Sequence, residues 1–191
     1  GGGGGAVLDA PNQGFVKNID FATNTQFAVS SNRGVSPRVV PCKSNTFFLL
    51  EGNSTSKVYV SYWSLSDSGA ATQEAAAIQV HGQASEVMSA TSNGVDRLMT
   101  FSSPGTDGYL NSIYYNGSSL SSTQLQGIAN KMPSTSTVTC TVDGVLMGTV
   151  TTNNTGLDTL SCRVGVIFPD GTTMIATKIV DMYQGNDSRL I

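Results

Sequence analysis

Few residues in this chain have types and spacing that could do chemistry, and His81 is the first to weigh as the single histidine. A serine hydrolase would need it beside a serine and a carboxylate. No Gly-x-Ser-x-Gly elbow occurs, and no aspartate follows His81 at a suggestive distance. The thirteen carboxylates are scattered along the chain. Asp143 and Asp170 are explained by turns, so nothing nominates an acid–base pair of the glycosidase kind. Phosphate loops are absent, because Gly1–Gly5 has neither a strand before it nor a helix after it. Cys42, Cys140 and Cys162 form no CxxC pair, which disfavours zinc and a disulfide scaffold and fits free thiols in a reducing compartment. Calcium has no DxDxDG loop. Its remaining candidates are Asp181 and Asp187, pooled with a neighbouring subunit's carbonyls. The expectation is a protein without catalytic function and without a cofactor, apart from that interface calcium.

Charge points to surfaces rather than active sites. The 191 residues carry a net charge of −3, and only 12% are charged, about half the usual share. Lys17, Arg33, Arg38 and Lys43 against Asp9 and Asp20 make residues 1–43 mildly basic; the remainder is acidic. Four cations can touch phosphates and are the RNA-facing candidates, yet they are too few for an autonomous nucleic-acid-binding domain. Gly, Ser, Thr and Asn number 21, 24, 21 and 13, so the surface is polar but nearly uncharged. Asn53, Asn116, Asn153 and Asn186 begin Asn-x-Ser/Thr sequons, expected to be unmodified for want of a signal sequence. No apolar run approaches the length of a membrane-spanning helix.

The elements that must position these residues read as strands. Segments 15–21, 26–30, 38–42, 46–51, 57–65, 76–81, 86–90, 97–102, 109–115, 137–142, 145–151, 160–168 and 173–183 are rich in Val, Ile, Thr, Tyr and Phe. Gly, Pro, Asn, Asp and Ser clusters bound them. Asp143-Gly144 between alternating runs predicts a hairpin with a type I′ turn. Pro169-Asp170-Gly171 predicts a second hairpin. Residues 121–132 read as a helix, with Ser121 and Gln124 at capping-box spacing, Leu125, Ile128 and Met132 on one face, and Pro133 as the stop. Residues 70–77 either form a second short helix or lead into the strand that follows. Tyr59, Tyr62 and Trp63 serve either the core or an interface, with the core favoured. Residues 1–14 are expected to be a flexible Gly-rich arm, and 15–191 a single all-β domain. The architecture expected is an antiparallel β-sandwich with one or two short connecting helices.

The Gly-rich beginning, the Ser/Thr/Asn-rich short strands and the closing hairpin around Pro169-Asp170-Gly171 resemble the shell domain of small non-enveloped RNA virus coat proteins. That resemblance covers nearly the whole chain without a diagnostic motif, and the Arg/Lys-rich arm of many such proteins is missing. It implies an eight-stranded jelly roll that self-assembles into an icosahedral capsid around single-stranded RNA. The partners would be copies of itself and the viral RNA, and the location the virion, assembled in the host cytoplasm. A local alternative is similar to concanavalin- and laminin-G-like sandwiches, through 108–116 and the hairpin at Asp143-Gly144, although their order along the chain is reversed. It implies a carbohydrate-binding module, or a phage or bacterial appendage protein, using Tyr109, Tyr114 and Tyr115.

Overall fold

A computed structural model describes residues 37–52, 57–80, 87–102, 108–128, 133–154 and 159–181. The described chain is all-β, with twelve antiparallel strands and no helix. They are β1 (Arg38–Pro41), β2 (Thr46–Gly52), β3 (Val58–Leu65), β4 (Ala71–Gln79), β5 (Val87–Ser92), β6 (Arg97–Ser102), β7 (Gly108–Tyr115), β8 (Leu120–Ile128), β9 (Pro133–Cys140), β10 (Leu146–Asn154), β11 (Thr159–Ile167) and β12 (Thr173–Asp181). They form three four-stranded sheets, ordered β1-β2-β3-β4, β5-β6-β7-β8 and β9-β10-β11-β12. Each sheet is therefore a meander of sequence neighbours. The interleaved connectivity of an eight-stranded jelly roll is not found in this pairing.

Two hydrophobic clusters show how the sheets pack. Phe48, Leu50, Val58, Val60, Tyr62 and Ala75 of the first sheet meet Leu98, Ile113 and Leu120 of the second. Met99, Phe101 and Leu110 of the second meet Leu146, Val150 and Ile167 of the third. The middle sheet is thus covered on both faces. Neighbours Leu98 and Met99 point opposite ways, as the two-residue period of a strand requires. Gly148 lets sheets two and three close together. A Cβ there would sit 2.7 Å from Leu110 Cδ2 and 2.9 Å from Met99 Sδ.

The helix expected over 121–132 is corrected, because Leu120–Ile128 is strand β8, paired with β7 from Tyr115↔Leu120 to Gly108↔Ile128. Its polar side chains have tertiary partners that a helix would forfeit. Ser122 Oγ donates to the Val80 carbonyl at 2.7 Å. Gln126 Nε2 donates to the carbonyls of Val164 (3.2 Å) and Ala176 (3.3 Å). The Ala-rich stretch resolves as the edge strand β4. The two expected hairpins form, with a different turn at Asp143-Gly144. Gly144 N–H donates to the Thr141 carbonyl, Thr141 N–H donates to the Val145 carbonyl, and only Gly144 has positive φ, +84°. A type I′ turn needs both central residues there, so this is the three-residue loop closed by a left-handed glycine. Phe168-Pro169-Asp170-Gly171 repeats it, with Gly171 at φ +90°. Segments 15–21 and 26–30, the arm 1–14 and His81 lie outside the described residues.

Candidate assembly surface

The candidate aromatics divide between two faces of the first sheet. Tyr62 is core: it is 1% exposed and its ring lies 4.9 Å from Phe48 and 4.1 Å from Tyr115. Its hydroxyl donates to Thr46 Oγ1 at 2.7 Å, and that hydroxyl donates to the Lys43 carbonyl. Burial, ahead of the other influences on it, pushes the Tyr62 phenol above its ordinary pKa. Trp63 faces the other way, across from Phe47, and is 4% exposed. Its Nε1 donates to Ser61 Oγ at 2.8 Å. Tyr59, half-buried, is opposite Glu51 on that outer face.

Tyr109, Tyr114 and Tyr115 share strand β7 without sharing a groove. Tyr115 stacks toward the first sheet on Tyr62. Tyr114 turns to the other face, where the Arg97 guanidinium sits 4.2 Å above its ring. Tyr109 is buried beside Gly127.

Of the RNA-facing candidates, Arg38 opens β1 and is half-buried, while Lys43 is exposed in the turn after it. Lys17 and Arg33 lie outside the described residues. Asp181 ends β12, and Asp187 lies outside. Among the described residues no group of three or more His, Cys, Asp or Glu side chains could hold a metal. The three cysteines are thiols without a disulfide, and burial raises the pKa of Cys140.

What the structure assembles, and the sequence reading did not single out, is the outer face of the third sheet. Opposite the side that carries Leu146, Gly148, Val150 and Ile167, the register aligns Thr139, Met147, Val166 and Met174 in one row. Thr137, Thr149, Val164 and Ala176 form the next. None of these eight is charged; Met174 and Ala176 on the edge strand are exposed, Thr149 is 2% exposed, and the other five are half-buried. Met174 is 59% exposed, and its neighbour Ile175, on the inward side of the same edge strand, is 64% exposed. The signal was available: alternate residues of 137–139, 147–149, 164–166 and 174–176 are Thr, Met, Val or Ala. Chemically such a face can pack against an apolar or hydroxylated surface; it has no group to act as acid, base or nucleophile.

No family model matches the chain, and no curated protein matches it.

Proposed function

We propose that the chain is a non-catalytic structural subunit that acts by self-association, building a capsid-like shell around single-stranded RNA. The two adjacent uncharged rows on the outer face of the third sheet, open at Met174 and Ala176, carry this reading. Like charges repel when many identical surfaces meet, and rows of Thr, Met, Val and Ala remove that repulsion. The net charge of −3 on 191 residues points the same way. Arg38 lies in the first sheet and Lys43 in the turn between β1 and β2, so a contact with RNA phosphates through them leaves the third sheet available to neighbouring subunits. The separation of Tyr109, Tyr114 and Tyr115 gives less support to the carbohydrate-binding reading, which needs exposed rings along one groove.

Size-exclusion chromatography with light scattering, followed by electron microscopy of the purified chain, tests the proposal. The expected result is closed particles of megadalton mass, with nuclease-protected RNA in those recovered from expressing cells. A chain that stays at 20 kDa at high concentration, across pH and calcium conditions, overturns it.

A further inference from the structure

Among the described residues, the unpaired edges of the three sheets are not alike. β1 carries Arg38 and ends on Pro41. β4, β5 and β8 are each interrupted by register shifts against their neighbours. β9 begins at Pro133 and shifts where Thr151 and Thr152 pair. Charges, prolines and bulges of this kind are how edge strands are kept from pairing with other chains. β12 has no such guard in its first five residues, Thr173, Met174, Ile175, Ala176 and Thr177. It pairs with β11 without a break from Thr173↔Ile167 to Asp181↔Thr159. From Thr172 to Ala176 every residue is exposed, on both faces of the strand.

Its outward hydrogen-bonding pattern follows from the turn. Phe168 N–H donates to the Thr172 carbonyl at 2.9 Å, so Thr172 directs its carbonyl at β11. In an antiparallel ladder, bonded and non-bonded pairs alternate. Thr173, Ile175 and Thr177 therefore turn their N–H and C=O groups away from the sheet.

We infer that β12 pairs antiparallel with β12 of a second copy across a two-fold axis at Ile175, joining two third sheets into one eight-stranded sheet. This specifies one contact of the assembly proposed above and rests on that reading. The occupant follows from self-complementarity. A two-fold axis at Ile175 puts Ile175 opposite its own copy and Thr173 opposite Thr177, so all three outward-directed residues are satisfied. Two bonds per bonded pair give about six hydrogen bonds. No like charges meet in this register. The uncharged rows of the outer face continue unbroken across the junction.

A disulfide tests the register directly. In a background with Cys42, Cys140 and Cys162 replaced by serine, Ile175→Cys would face its own copy at a Cα separation of about 5.5 Å, inside the range a disulfide spans. Thr173→Cys would lie about 13 Å from its copy along the strands. Mild oxidation should convert most of the Ile175→Cys chain to a covalent dimer on a non-reducing gel and leave Thr173→Cys monomeric. Equal cross-linking of the two, or none in either, overturns the pairing. Ile175→Pro, which removes an outward N–H, should lose the dimeric species in sedimentation velocity; its persistence also overturns the inference. Particles that still form in Ile175→Pro would reject this contact and leave the shell reading standing. A register-specific dimer that never grows larger would reject the shell and leave the contact.

Discussion

Asp170 accepts hydrogen bonds from the Thr172 backbone N–H at 2.9 Å and the Thr172 hydroxyl at 2.6 Å. The Thr172 side-chain bond, then the backbone bond, hold its carboxyl below the ordinary aspartate pKa. A carboxyl whose pKa is lower folded than unfolded adds stability above its unfolded value, about 3.9, and that contribution disappears as pH falls through the folded value. Asp170→Asn should therefore lower Tm slightly at neutral pH, with the difference from the parent closing below about pH 4; differential scanning calorimetry across pH reads it. The effect stays small because the group is fully exposed. A second residue-scale prediction separates two glycines. At Gly165 a new Cβ would meet Leu110 Cδ1 and Leu125 Cβ at 3.4 Å, whereas at Gly148 it would lie well inside contact distance of Leu110 and Met99. Gly148→Ala should cost about 1–3 kcal/mol in urea unfolding, and Gly165→Ala should stay within about 0.5 kcal/mol of the parent. Glycines inside strand patterns advertise a close backbone approach. The sequence does not say to what, because Leu110 and Met99 arrive from another sheet.

Among the elements, most described strands were legible because β-branched and aromatic runs end at turn residues. Strand β8 was not. Ser121, Gln124, Leu125 and Ile128 satisfy local helix rules, but local rules are outweighed when a segment has eight ladder pairs on offer and carbonyls awaiting Ser122 and Gln126. The turn at Asp143-Gly144 was legible as a hairpin and misread as a type, since loop length, not the dipeptide, selects the glycine's place. The β5–β6 turn shows how side chains fix such loops. Asn93 Oδ1 accepts the N–H groups of Val95, Asp96 and Arg97 at 2.9–3.0 Å. Asn93→Ala leaves those three donors without that acceptor and should destabilise the chain by about 1–2 kcal/mol. Chemical denaturation measures it, and an unchanged midpoint would mean that water replaces the side chain at no cost.

At the scale of the whole molecule, the third layer is what sequence reading missed. Strands β6 and β7 are buried almost end to end, from Leu98 to Ser102 and from Gly108 to Ile113. Antiparallel strands usually alternate buried with solvated positions. Here Thr100, Ser102, Asn111 and Ser112 are buried too, and as polar types they imitate that alternation in the sequence. They disguise a central sheet as one half of a two-layer sandwich. Asn111 reveals the cost: its Nδ2 donates to the Val80 carbonyl at 3.0 Å, while its Oδ1, with Thr100 Oγ1 and Ser102 Oγ, is buried without a partner among the described residues. The stack makes a prediction about the order of opening. Both faces of β6 and β7 lose packing only when both neighbouring sheets have moved, whereas β1 and β12 are edge strands of the outer sheets. Amide exchange should therefore be slowest in β6 and β7, near the global unfolding free energy, and faster in β1 and β12 through local opening. Mass-spectrometric hydrogen exchange resolves these segments. If assembly joins β12 to its copy, protection of its amides should rise with protein concentration, while that of β6 and β7 stays unchanged.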